Sequence, residues 1–146
     1  MIGLLQRVSS ASVSVDGTEI AAIQRGILVL VGVEREDSEP QAERLLERLL
    51  SYRVFPDVSG KMNLSLREID GGLLLVPQFT LAAVTHKGTR AGFSTAAEPA
   101  RAQVLFEYLL ARAKTEWPQT GSGRFGANMQ VSLVNDGPVT FWLEAK

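Results

Sequence analysis

Gly26-Ile27-Leu28-Val29-Leu30-Val31-Gly32-Val33 is an almost unbroken apolar run. A strand with one face in water alternates apolar and polar side chains. A run without that alternation suits a central strand covered on both faces. Its surroundings read as more strands. Ile2 to Arg7 predicts a first strand. Ala11 to Val15 and Thr18 to Ile23 flank Asp16-Gly17, a pair that favours the type I′ turn of a hairpin because both central positions need positive φ.

Downstream, Ser38 to Ser51 predicts a helix. Ser38 and Gln41 form a capping box, and Ala42, Leu45, Leu46, Leu49 and Leu50 recur at helical spacing. Pro56 to Lys61 reads as a turn and Gly72 to Val76 as a second buried strand, which runs into Pro77-Gln78-Phe79-Thr80. Thr85 to Gly92 reads as a loop. Ala96 to Glu116 reads as a second helix with Val104, Leu105, Tyr108 and Leu109 on its apolar side, begun by Thr95 with Glu98 or by Pro99. The tail reads as strand, turn, strand: Asn128 to Val134, then Asn135-Asp136-Gly137-Pro138, then Val139 to Leu143. The expected fold is a single mixed α/β domain over residues 1–146, with two main helices packed on sheet faces.

Composition narrows the function. The 146 residues are 45% hydrophobic and 21% charged, enough for one well-cored domain. A net charge of −1 argues against tight, general phosphate binding and leaves room only for a local basic patch. With no cysteine there is no disulfide, thiolate nucleophile or thiolate metal site, and with His86 the only histidine neither a metal nor a cofactor is expected. No segment has the roughly 18 apolar residues of a membrane span, so a cytoplasmic protein is expected.

Several motifs fail. Gly121-Ser122-Gly123-Arg124-Phe125-Gly126 has the glycine spacing of a dinucleotide loop, but it follows a helix and precedes a strand, the reverse of what that loop needs. A Ser-His-Asp triad would rest on His86 alone, in a loop with Lys87 and Arg90. Two segments keep double readings. Gln78-Phe79-Thr80 either ends a strand and caps a loop or presents backbone N–H groups and a hydroxyl to a substrate carbonyl, as an oxyanion hole does. Gly137-Pro138 is either a hairpin turn or a rigid backbone element aimed at a ligand.

Taken together, these segments resemble the D-aminoacyl-tRNA deacylase family. The carriers are Leu5-Gln6-Arg7-Val8, Val15-Asp16-Gly17, the Gly26–Gly32 run, Tyr52-Arg53-Val54-Phe55-Pro56-Asp57 and Gly60-Lys61-Met62-Asn63-Leu64-Ser65. They continue with Gln78-Phe79-Thr80-Leu81, Phe125-Gly126-Ala127-Asn128-Met129-Gln130-Val131 and Asn135-Asp136-Gly137-Pro138-Val139-Thr140.

The resemblance implies hydrolysis of the ester between tRNA and a D-amino acid or glycine. It implies a homodimer with active sites at the interface, where a cis Gly137-Pro138 enters the partner's pocket and collides with L side chains. Backbone groups of Gln78, Phe79 and Thr80 would hold the carbonyl and oxyanion. Phe125 and Met129 would line the pocket, Arg7 would brace the Gly-Pro element, and Lys87 and Arg90 would meet tRNA phosphate. A hydroxyl of the tRNA ribose next to the ester suits a substrate-assisted mechanism. Pro77 stands where serine is usual, Ala91-Gly92 where Pro-Ser is common and Asn128 where aspartate is common. A non-catalytic tRNA-binding protein and a general esterase using Thr80 as nucleophile are the rival readings.

Overall fold

The apolar run lies at the centre of the structure. A computed structural model describes residues Met1–Lys146. In it Gly26–Gly32 forms strand β3, flanked by β1 (Ile2–Val15) and β6 (Gly72–Pro77). Around them are β2 (Thr18–Ile23), α1 (Glu39–Ser51), β4 (Phe55–Pro56), β5 (Met62–Leu64), α2 (Leu66–Ile69), α3 (Pro99–Glu116), β7 (Thr120–Ser122) and β8 (Gln130–Glu144).

The sheet is mixed. β3 pairs antiparallel with β1 and parallel with β6, and β6 pairs parallel with β7. β1 is long enough to serve three partners. Its first half faces β3, its second half faces β2, and β8 follows it along the opposite edge. The sheet curls until β2 packs against β7, nearly closing it.

Two apolar cores explain why β3 and β6 carry no polar alternation. Ile27, Val29, Val31, Leu73 and Leu75 point to the helix side, where α1 contributes Leu45, Leu46 and Leu49 and α3 contributes Leu105, Phe106 and Leu109. Leu28, Leu74 and Val76 point into the curl against Val8, Val13 and Ile23. Adjacent side chains of a strand go to opposite faces, so a strand between two cores must be apolar throughout.

Close approach is built in where β3 and β6 begin. Gly26 is in register with Gly72, and a Cβ on Gly26 would overlap the Gly72 carbonyl. A Cβ on Gly72 would lie 2.8 Å from the Ile23 Cβ.

The expected hairpin forms, with Asp16 and Gly17 at φ of 50° and 78°. In α1 the Gln41 side-chain oxygen accepts the Ser38 N–H at 2.9 Å and its hydroxyl at 2.6 Å. A buried ion pair closes the chain ends: the Met1 ammonium lies 2.5 Å from Asp37 Oδ1 and donates to the Ala145 carbonyl at 2.9 Å.

Four expectations need correction. Ile2–Arg7 and Ala11–Val15 are one continuous strand. The second helix starts at Pro99, because Ala96 is held in a bridge to Glu34. On that helix Val104 is 65% exposed, and the buried stripe is Ala102, Leu105, Phe106, Leu109 and Ala113. As expected, both long helices pack on the sheet, sharing one face of it, and a third, single-turn helix, α2, has its own capping box from Ser65 and Glu68.

The tail is the largest correction. Asn135-Asp136-Gly137-Pro138 is not a hairpin turn. β8 runs through it, and both halves pair with β1.

Candidate active site

β6 ends at Pro77, and Phe79–Ala82 form one turn of 3-10 helix directly after it, with Gln78 as its first cap. A helical turn leaves its first N–H groups without partners inside the turn. The chain therefore delivers the Phe79 and Thr80 amides to the carboxyl end of the parallel strands, the customary place for a ligand crevice in such sheets. Gln78 is anchored by its own N–H to the Val31 carbonyl, at 2.8 Å. Its side-chain amide donates to the Thr80 hydroxyl at 2.5 Å, which gives that hydroxyl a fixed neighbour.

Beside the turn is a cleft of about 670 Å³. Gln78, Phe79, Phe125 and Met129 line it together with Val76, Pro77, Phe93, Ala102 and Val131. Glu98 is the only ionisable side chain in the lining. Met129 reaches the wall because position 123 is glycine, where a Cβ would lie 2.7 Å from its sulfur. The Arg124 N–H points at the same sulfur from 3.3 Å. The glycine-rich segment 121–126 thus shapes this wall, and no helix follows it. His86 is exposed in its loop.

Pro77 costs the sheet nothing. Alternate N–H groups of β6 point to opposite neighbours: that of Gln78 goes to Val31 in β3, that of Leu73 to Gln119 before β7. Position 77 therefore points to the β7 side, past the last pair, Leu75 with Ser122. A residue without an N–H is tolerated where the ladder has ended.

Gly137, Pro138 and Arg7 are not in this cleft. They form a second feature where β1 and β8 pair, with Gly137 and Pro138 about 20 Å along β8 from Val131. Gln6 pairs with Thr140 and Val8 with Asn135, so the residues between Asn135 and Thr140 outnumber the single β1 residue opposite and bulge outward.

Arg7 is that opposite residue. Its Nε donates to the Asp136 carbonyl at 2.8 Å and its Nη1 to the Val54 carbonyl at 2.7 Å. Asn135 closes the base of the bulge, accepting the Val139 N–H at 2.7 Å and donating to the Thr140 hydroxyl at 2.8 Å. Held this way, the cis Gly137-Pro138 peptide is exposed at the tip.

Lys87 and Arg90 sit on the exposed loop that leads from the 3-10 turn to Phe93. Sequence reasoning missed Phe93 and also the part played by the start of α3, where Pro99 and Ala102, with Ala97 just before the helix, line the cleft.

Thr80 lies on the adjoining turn and outside the lining. An apolar cleft beside a turn whose first N–H groups have no partner inside it, with no histidine in its lining, fits a class of hydrolases that work by holding a carbonyl in place. Comparison with known proteins narrows the class. The D-Tyr-tRNA(Tyr) deacylase family profile matches residues 4–144, and the chain belongs to that family. It is 61% identical to a D-aminoacyl-tRNA deacylase of Alkalilimnicola ehrlichii, covering 100% of this chain and 97% of the relative. Against the one of Stutzerimonas stutzeri the identity is also 61%, over 99% of this chain and 100% of that one. Among solved structures, a c-Myc DNA unwinding element binding protein superposes with a TM-score of 0.95 at 38% identity, covering 100% of this chain and 99% of that one. A probable eukaryotic D-amino acid tRNA deacylase shares the fold at a TM-score of 0.85 and 17% identity, over 98% of both chains. No helix is long and apolar enough to cross a membrane.

Proposed function

We propose that this chain hydrolyses the ester between a D-amino acid and tRNA, and glycyl esters on non-cognate tRNA, in the cytoplasm, as a single-domain homodimer. The observation that carries the reading is the cleft beside the Phe79–Ala82 turn, apolar on its walls and edged by backbone donors. The acyl carbonyl would sit at the Phe79 and Thr80 amides. Water adds to that carbonyl, the oxyanion is held by those amides, and the ribose oxygen leaves with a proton. The free ribose hydroxyl beside the ester is the nearest group to relay that proton. Preorganised donors of this kind are worth on the order of 3 kcal/mol each. Phe125 and Met129 would contact the amino acid, and the Thr80 hydroxyl, bonded to Gln78, would position rather than attack.

The cleft of one chain lacks Gly137-Pro138, which is presented outward on its bulge. A second copy bringing that tip to the cleft would put rigid backbone against the Cα of the bound amino acid. An L side chain would collide there, while a D side chain or glycine would not. The exposed Val134 and Trp142, on the same strand as the bulge, are apolar surface that a second copy would cover.

Matched D-Tyr-tRNA and L-Tyr-tRNA, incubated in chelator, test this reading. Rapid loss of the D ester alone is expected. Equal loss of both would point to a general esterase, and binding without loss of either to a tRNA-binding protein.

A further inference from the structure

Sulfur is scarce in this chain. With no cysteine, its three methionines are the only side chains that an oxidant can attack at sulfur. They sit at different depths. Met1 is fully buried, Met62 on β5 is 45% exposed, and Met129 is half-buried in the wall of the cleft. Met62 lines none of the clefts of the chain. The Met129 sulfur is enclosed by backbone on one side. At Gly123 even a Cβ would come within 2.7 Å of it, and the Arg124 N–H donates to it at 3.3 Å. A thioether is a weak acceptor, whereas a sulfoxide oxygen is polar and accepts strongly. The donor set against Met129 therefore suits the oxidised side chain better than the reduced one.

We propose that Met129 is a reversible oxidation site, and that its sulfoxide shuts the cleft to large substrates. The oxidant is a peroxide. A sulfur lone pair attacks one peroxide oxygen, an S–O bond forms and the O–O bond breaks. The leaving hydroxide takes the proton of the transferred oxygen and departs as water, so sulfur is oxidised and the peroxide reduced. The cleft, of about 670 Å³, admits a molecule of that size without any opening of the fold. The new oxygen needs room. Arg124 N already lies 3.3 Å from the sulfur, too near to fit an oxygen between them at ordinary hydrogen-bond length. The side chain must draw back from the backbone of residues 123 and 124, and it takes space from the cleft that it lines. Reduction by a methionine sulfoxide reductase reverses the step: two thiols become a disulfide and the oxygen leaves as water. The effect on turnover rests on the cleft being the ester site. The oxidation itself rests only on the surroundings of the sulfur.

The test treats the full chain with hydrogen peroxide. It follows the mass of each methionine peptide, the Arg124 amide signal in nitrogen-labelled protein, and turnover of D-Tyr-tRNA and D-Ala-tRNA. Met62 and Met129 should each gain one oxygen and Met1 none. The Arg124 amide proton should shift downfield in step with Met129 oxidation. It should return when the reductases for both sulfoxide epimers are added with dithiothreitol. Turnover of D-Tyr-tRNA should fall about 5- to 150-fold in the same step, the range for a polar group set against an apolar one, and turnover of D-Ala-tRNA should fall less. Each variant is compared with its own untreated rate. On that scale Met62→Leu should lose turnover as wild type does, and Met129→Leu should resist. A Met129 that stays reduced while Met62 is fully oxidised would overturn the proposal. So would a Met129 sulfoxide that leaves the Arg124 amide unmoved, or an active enzyme whose turnover survives it. An equal loss in Met129→Leu would also overturn it, since the damage would then lie elsewhere. If the untreated protein cleaves neither ester, the deacylase reading fails by itself, and a reversible Arg124 shift supports the oxidation site on its own.

Discussion

Replacing Arg7 by alanine removes the two bonds that tie the β8 bulge to the body of the protein. The costs differ. Val54 is 1% exposed, so its carbonyl loses a charged donor and gains no water, which costs roughly 1–3 kcal/mol. Asp136 is exposed, so water replaces the guanidinium at its carbonyl and the net loss is about 0.5–1 kcal/mol. The Arg7–Asp136 charge pair, at 3.8 Å with Asp136 55% exposed, adds little. The expected destabilisation is therefore roughly 2–4 kcal/mol, a fall in Tm of about 5–15 °C for a chain of this length. Arg7→Lys should recover less than half of it, since one ammonium cannot reach both carbonyls in fork geometry. Thermal unfolding measures the stability, and paired D- and L-Tyr-tRNA assays on the folded variant measure the function. The tip loses its brace while the cleft is untouched, so discrimination should drop more than D-ester turnover. A Tm within a degree of wild type, or unchanged discrimination in a folded Arg7→Ala protein, would refute the bracing role.

Other outcomes follow from particular contacts. Gly26→Ala should yield no soluble folded protein, because its Cβ meets backbone of Gly72 that cannot move without parting β3 from β6; a normal circular dichroism melt would contradict this. Gly123→Ala should fold, since the atom displaced is the Met129 sulfur, the end of a flexible side chain, but should narrow the cleft and lower turnover of D-Tyr-tRNA relative to D-Ala-tRNA. Asp37→Ala leaves the Met1 ammonium buried without its closest counter-charge and should cost about 3–5 kcal/mol in a denaturant titration. Asp57 gives a pH test. The Asn63 side chain, then the Lys61 and Ser59 N–H groups, hold its carboxyl below the usual 3.8. A depressed carboxylate stabilises above its unfolded value and loses that contribution as pH falls through the folded one. The 57–61 turn should therefore keep its amide protection through mild acid and lose it only below the ordinary carboxylate range, whereas Asp57→Asn should show no such transition.

The sheet was legible where local chemistry and tertiary environment agree. The Gly26–Gly32 run needed both faces covered, and both were. Asp16-Gly17 demanded a turn that nothing else contradicted. The tail was misread because Asn-Asp-Gly-Pro carries every local turn signal, while its conformation is decided by β1, more than a hundred residues earlier in the chain. Val104 was misread because helical spacing alone does not say which of two neighbouring stripes meets the sheet. At the candidate site the Gln78-Phe79-Thr80 segment could be read as a strand end with exposed donors, but Phe93 could not be read at all. Its position depends on the Val84–Gly92 clasp, which uses backbone atoms only. For the same reason Ala91-Gly92 can stand where Pro-Ser is common: a Cβ on Gly92 would meet nothing closer than 3.9 Å.

In the proposed dimer the bulge on β8 separates two jobs along one polypeptide, with the tip at one place and the cleft at another. A tip that serves the neighbouring subunit makes each working centre a joint product of two copies. In the proposed assembly, a copy damaged only at the tip, indiscriminate as a pure population, and a copy damaged only in the cleft, inactive as one, would restore one complete centre when they assemble together. In a cell holding two variant alleles, defects at Arg7 and at Met129 could therefore compensate each other, and two defects in the cleft could not.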